Sequence, residues 1–282
     1  MWYHKGMNGD TKVLDQNPIS RERGITIKLA PVRMKYSLDG EDYILDLIDT
    51  PGHMDFSYEV SRTLAACEGA ILLVDATKGI QAQTVAHYNS AKKENLKLIP
   101  VINKIDLDSA STEEVAKDLV EMFGFGEEEI HYISAKTGKN VEELLKAVIK
   151  KIPHPNVNES APLKALVFDA AFDEHRGVII FTKLFDGKVK KQDKIEFIQN
   201  KTKVDVSEVG YFSPFLIAKS ELTPGEIGYL VTGIKDIRQT RVGDTMTTQA
   251  VSNREEKVIP LPGYQMPKPM VFFGVYPQSS SE

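Results

Sequence analysis

Leu45-Asp46-Leu47-Ile48-Asp49-Thr50-Pro51-Gly52-His53-Met54-Asp55-Phe56 decides how this chain is read. A short apolar run delivers Asp49, a Pro-Gly turn follows, and helical apolar spacing begins at Phe56. A carboxylate at the carboxyl end of a strand suits a hydrated Mg²⁺, which takes few protein ligands and keeps waters and phosphate oxygens. Gly52 has no Cβ, so its N–H can come close to a phosphate. His53 stands where a base or a water-orienting group could face the same phosphate. By itself D-x-x-G is a weak signal, because Pro-Gly marks a turn in any case.

Upstream, Val32-Arg33-Met34-Lys35-Tyr36 alternates strictly and predicts an edge strand with one wet face. Pro31 is tolerable only on such an edge. Asp39-Gly40 signals a hairpin turn, and Tyr43 to Asp49 is the return strand. Downstream, Phe56, Val60, Leu64 and Cys67 repeat at helical spacing. Gly69–Asp75 and Leu98–Ile102 are continuous apolar runs, expected for parallel strands buried on both faces. A polar helix separates them, from Gln81 to Glu94. Ser111-Thr112-Glu113-Glu114 matches a capping box for a helix carrying Val115, Leu119 and Met122. A short strand at Ile130–Ile133 precedes a helix capped by Asn140, with Val141, Leu144, Leu145, Val148 and Ile152 on its apolar face. Strands alternating with helices predict an α/β domain with a parallel sheet.

Pro153 to Pro162 has a linker's composition. Beyond it, short strand patterns punctuated by Asp186-Gly187, Thr223-Pro224-Gly225 and Val242-Gly243-Asp244 predict a small antiparallel β-barrel. The expected layout is an α/β domain at 1–152, a linker at 153–163, a barrel at 164–250, a second linker at 251–269 and the start of a third domain at 270–282.

Two further segments carry chemistry. Asn103-Lys104-Ile105-Asp106 follows a buried strand. A carboxylate there can accept from the ring N–H and the exocyclic amine of guanine together, which adenine does not offer. The Lys stem can cover the base, and the Asn amide can tie the loop down. Ser134-Ala135-Lys136 follows the next strand and offers the Ala135 N–H toward the guanine O6. Caps and turns use the same residue types. The order of the three segments, each behind a strand where open α/β sheets bind ligands, is what favours the nucleotide reading.

The bulk numbers agree with a globular protein: 282 residues, 41% hydrophobic, 27% charged, net charge −5. With no basic excess, any nucleic-acid contact is local. A single cysteine, Cys67, excludes an internal disulfide and reads as a small buried hydrophobe in a reducing compartment. No apolar run reaches membrane-spanning length. His4, His87, His131, His154 and His175 have no ligand spacing. The lysines of 188–191 and 201–203 form a basic patch on a barrel hairpin, read as solvated charge.

Arg21-Glu22-Arg23-Gly24-Ile25-Thr26, Asp49-Thr50-Pro51-Gly52-His53, Asn103-Lys104-Ile105-Asp106 and Ser134-Ala135-Lys136 resemble the switch I, switch II and guanine-recognition motifs of translational GTPases. Within that class the chain is similar to the LepA (elongation factor four) family, on Asp55–Arg62, Ala65–Gly69, Gly233–Ile237 and Val242–Thr245. The resemblance implies a ribosome-associated GTPase hydrolysing GTP to GDP and phosphate, with Mg²⁺ as cofactor and ribosomal RNA and proteins as partners. By it, Thr26 and Asp49 hold Mg²⁺, Gly52 donates to the γ-phosphate, His53 positions the attacking water and Ile25 forms half of a hydrophobic gate. Asn103, Lys104, Asp106, Ser134, Ala135 and Lys136 bind the guanine. It also implies a monomer in the cytoplasm, with peripheral contact at the membrane's cytoplasmic face left open.

The departure is a missing G-x-x-x-x-G-K-[ST] run, which the family carries on its first strand and helix. The expectation is therefore a fragment without the P-loop and without the C-terminal domains, binding GTP very weakly by itself. Its alternative function is an incompetent fragment that retains only a ribosome-binding barrel. In the family the sheet order is 2-3-1-4-5-6, so the strands at Tyr43–Asp49 and Ala70–Asp75 would lose a shared partner. That leaves a slot to be retained, closed by direct pairing, or filled by Met1–Asp10.

Overall fold

The computed structural model describes residues 29–52, 57–213, 215–248, 258–261 and Gly274. The chain begins with a hairpin of β1 (Ala30–Leu38) and β2 (Glu41–Asp49), paired antiparallel from Ala30↔Asp49 to Leu38↔Glu41. Asp39 and Gly40 both take positive φ, 53° and 86°, the geometry of the tight turn whose twist matches the flanking strands.

After helix α1 (Ser57–Leu64), β3 (Gly69–Asp75), β4 (Lys97–Asn103) and β5 (His131–Tyr132) form a three-stranded parallel sheet in that order. The crossovers are α2 (Ala82–Lys93) and α3 (Thr112–Phe123), and α4 (Val141–Lys151) follows β5. Strand periodicity splits the core. Leu72, Val74 and Ile102 pack with Val115, Ala116 and Leu119 of α3 on one face. Ile99 and Val101 pack with Ile133 and Leu144 of α4 on the other. Only in β4 is the apolar run, Leu98–Ile102, buried throughout as predicted. β3 has one paired edge among the described strands, and Leu73 is 53% exposed.

Of the foreseen outcomes for the slot, direct pairing does not occur among the described residues. β2 neither pairs with β3 nor lies in its sheet; the hairpin is a separate two-stranded sheet. Met1–Asp10 lie outside the described residues. The hairpin's face explains its placement. Arg33, expected on the wet side of the alternation, is buried at 7% exposure and docks on the second half of the chain, while Ile44 and Leu47 stay exposed. Its guanidinium bonds Asp46 at 2.8 and 3.0 Å, Glu226 Oε1 at 2.7 Å and the Ile227 carbonyl at 3.0 Å, and lies over the Tyr211 ring. Period-2 patterning reports that a strand has two faces but not what meets each of them.

The second half is antiparallel. β6 (Lys164–Asp173), β7 (Gly177–Asp186), β9 (Lys194–Phe197), β10 (Lys203–Asp205), β11 (Glu208–Ser213), β12 (Phe215–Lys219), β14 (Ile227–Val231) and β15 (Thr245–Thr248) form one sheet, in the order β10-β9-β15-β6-β7-β14-β11-β12. The short strands β8 (Val189–Lys190) and β13 (Glu221–Leu222) pair beside it. Ile195 and Phe197 of β9 meet Val209 of β11 and Leu230 of β14 in one buried cluster, so strands far apart in the order curl around a common core. The two halves also share apolar contacts, since Leu29 and Ala66 pack with Leu166, Phe168 and Ile227.

Two local expectations are corrected. Ser111 and Asn140 stand at the starts of α3 and α4, but neither side chain makes a capping hydrogen bond. Asn140 takes φ 59° and donates Nδ2–H to the Tyr132 carbonyl instead. Of the three apolar residues named on α3, Val115 and Leu119 are buried and Met122 is 56% exposed. Cys67 donates its thiol to the Thr63 carbonyl, and burial pushes its pKa up to about 12.

Candidate functional site

The carboxyl ends of β3, β4 and the short β5 segment deliver Asp75, Asn103 and Ser134 to one edge of the parallel sheet. Asp75 and Asn103 are direct partners in the β3–β4 register. Asn103 Oδ1 accepts from the Lys104 N–H at 2.8 Å and from the Ala135 N–H at 2.9 Å. One side-chain oxygen therefore joins the two loops predicted to read a base. Their backbones meet as well, through Ile105 N–H to the Ile133 carbonyl at 3.4 Å.

Lys104 takes φ 68°, a left-handed conformation costly for a residue with a Cβ and concentrated at functional sites. Its ammonium lies 2.7 Å from Asp75 Oδ2. Burial alone would raise the Asp75 carboxyl, but Lys104 and the Thr77 N–H and hydroxyl outweigh it and bring the pKa down to about 2. Ser134 is fully buried and accepts the Thr137 N–H at 3.1 Å. Its hydroxyl bonds Asp106 and holds that carboxyl below the usual range, with help from Lys136 and Lys104. Asp106, Ala135 and Lys136 are exposed. The edge thus presents an ionised carboxylate, a half-exposed Lys stem and a rigid floor.

Asp49 ends β2 on the separate hairpin. Gly52 is exposed, and a Cβ built on it would meet no atom within 4 Å, so its backbone is open to close approach. His87 of α2, read from the sequence as a packing or surface residue, places Nε2 3.4 Å from the Gly52 carbonyl. Ile25, Thr26 and His53 lie outside the described residues. Asp49 precedes Gly52 by three residues in sequence, and a carboxylate is a type of ligand that hydrated Mg²⁺ takes, its other ligands being waters and phosphates. No cluster of three or more His, Cys, Asp or Glu that could cage a metal occurs among the described residues.

Sequence reasoning missed Asp75. It closes the apolar run Gly69–Asp75 as Asn103 closes the next, and that parallel was the available signal. On the second half, the basic hairpin is partly neutralised. Lys188 pairs with Glu159 at 3.0 Å and Lys203 with Glu196 at 3.6 Å.

The parallel sheet and the antiparallel β-domain that follows it have the architecture of translational GTPases, as two family models show. A family model described as the elongation factor Tu GTP binding domain matches residues 3–154, and one described as elongation factor Tu domain 2 matches residues 177–247. The chain belongs to the elongation factor Tu GTP-binding-domain family of translational GTPases.

Within that class, its curated relatives include elongation factor 4 of Alkaliphilus metalliredigens, 51% identical over 94% of this chain and 44% of the relative. Elongation factor 4 of Thermotoga maritima is 51% identical over 94% and 42%, and that of Acetivibrio thermocellus 48% over 97% and 45%. The chain thus spans under half the length of these relatives. Among solved structures, the bacterial selenocysteine-specific elongation factor EF-Sec has a similar fold, with TM-score 0.68 at 24% identity over 84% of this chain and 40% of that one.

Proposed function

We propose that this chain carries the guanine-reading and second-domain portions of an elongation factor 4-type GTPase that hydrolyses GTP to GDP and phosphate on the ribosome. The observation that carries the reading is the Asn103 carboxamide oxygen joining the Lys104 and Ala135 N–H groups behind an exposed, ionised Asp106. Asp106 would accept from the guanine ring N–H and amine, with the Lys104 stem against the base. Ser134 and Lys136 would keep Asp106 charged and placed. Gly52 would donate its N–H to the γ-phosphate, and His53 would position the attacking water beside Ile25. Bound Mg²⁺ would neutralise phosphate charge, held by Asp49 through water and by Thr26. Hydrolysis on this scheme is positioning and charge stabilisation, with both switches ordered around the γ-phosphate. Ribosomal RNA and proteins and GTP or GDP are the partners, and the cytoplasm is the place of action.

Competition binding tests it. In the protein with a P-loop restored, guanine should be preferred over adenine nucleotides, and Asp106→Asn should move the preference toward xanthine nucleotides. Equal binding of GDP and ADP by that protein, or unchanged selectivity in Asp106→Asn, would overturn the reading.

A further inference from the structure

Asp75 stands outside the guanine-reading motif, yet it makes the ion pair that fixes that motif's lysine. The β3–β4 register sets Asp75 opposite Asn103, so the residue after Asn103 turns back across the end of β3. The two carboxylate oxygens divide their work. Oδ1 accepts from the Thr77 N–H at 2.9 Å and the Thr77 hydroxyl at 2.8 Å, which locks the carboxylate to its own turn. Oδ2 takes the Lys104 ammonium at 2.7 Å.

Lys104 is therefore held at both ends. Its Cα is fixed in a left-handed turn whose N–H is bonded to Asn103, and its Nζ is fixed on Asp75. What lies between is a four-carbon apolar stem, and the side chain is 49% exposed. A free lysine loses much rotamer freedom when it is ordered against a ligand, whereas one already tied down does not. The pair also draws the ammonium to the β3 end, so an apolar strip rather than a charge is offered to a planar ring.

Resting on the guanine reading above, we propose that Asp75 is a positioning residue for nucleotide affinity: it pre-orders the Lys104 stem as the platform for the base. A plain loop tie would make the same ion pair, so the test must separate the two roles. The probe is a fluorescent N-methylanthraniloyl-GDP, with ADP as competitor, on the protein with a P-loop restored. Asp75→Asn should weaken GDP binding by roughly tenfold, the order expected when one ordered side chain is released. Lys104→Met should weaken it too, and the double variant should be no weaker than Lys104→Met alone, because the role of Asp75 runs entirely through Lys104. Thr77→Val, which leaves the Oδ2 contact intact, should keep wild-type affinity. Where Asp75→Asn does not fold, Asp75→Glu replaces it under the same criterion.

Unchanged affinity in the Asp75 variant, or additive losses in the double variant, would overturn the proposal while leaving the guanine reading standing. Absence of any GDP preference over ADP in the P-loop-restored protein without substitutions would overturn both.

Discussion

Arg33 Nη1 lies 2.7 Å from Glu226 Oε1, a contact between residues 193 apart in sequence. Both side chains are nearly out of water, at 5% and 12% exposure. Asp46 completes the arrangement, bonding Arg33 and accepting the Ile227 N–H at 2.9 Å. Glu226 is satisfied further by Lys219 and by Thr223. A buried network of this kind adds little net stability over an apolar equivalent, but losing one member leaves charges stranded. Its effect is to set the pose of the hairpin whose second strand ends at Asp49.

Arg33→Ala should therefore destabilise the chain by about 3–5 kcal/mol, the usual range for removing one partner of a buried ion pair. Urea unfolding followed by far-UV circular dichroism measures it. A midpoint within error of wild type would show that the hairpin is not held by this network.

Acid should loosen the same contact. Burial alone would raise the Glu226 carboxyl, but Lys219, Thr223 and Arg33 outweigh it and hold the pKa below the ordinary value. A depressed carboxylate contributes stability that is complete above its unfolded pKa, about 4.3, and is lost as pH falls through the lower folded value. Stability should thus fall below about pH 4.3, and Glu226→Gln should flatten that part of the profile. The comparison of unfolding midpoints between pH 6 and pH 3 (roughly the range over which such a group titrates) decides it. An equal acid loss in Glu226→Gln would count against this assignment.

Asn103→Ala removes the one acceptor shared by the Lys104 and Ala135 N–H groups. Each stranded donor costs about 1–3 kcal/mol when buried, and less at this half-exposed position. The variant should bind guanine nucleotide at least tenfold more weakly, with a stability loss of about 1–2 kcal/mol. Nucleotide titration and thermal unfolding read the two effects separately. Affinity like wild type would mean that the loops are joined by other contacts.

Limited proteolysis should leave a resistant fragment starting near Pro162. The second half closes a core of its own around Leu163, Ile180, Phe197 and Leu230. The first half instead leaves Leu73 and one β3 edge open among the described residues and shares part of its apolar surface with the second. Equal protection of residues before Pro153 would contradict this difference.

The parallel strands were legible because Leu98–Ile102 is an apolar run of strand length, and β4 is buried on both faces. Asp39-Gly40 was legible because few turns accept two successive positive φ values. The strand-end placing of Asn103, Asp106 and Ser134 followed from the same runs. Arg33 was not legible: its alternation is that of a wet-faced strand, and the partner that buries it is far along the chain. Ser111 failed as a cap for a similar reason, since the capping-box pattern supplies the residue types but not the backbone angles that align them. Asp75 was hidden because its role depends on which strand lies beside β3, and register is a property of the pair.

The place of β15 in the second sheet bears on how the protein is made. β15 sits between β6 and β9, with Thr245 opposite Leu166 and Thr247 opposite Glu196. As the chain is made, β6 must wait for β15, the last of the described strands, before its outer edge is covered. Until then β6 and β9 present unpaired backbone to the solvent, the state in which edge strands recruit wrong partners. Glu226 and Ile227 also emerge late, so Arg33 stays without its final neighbours for most of synthesis. A released chain ending just before Thr245 should therefore be far more sensitive to protease than one ending after Thr248, and that short stretch is where the β-domain becomes self-protecting.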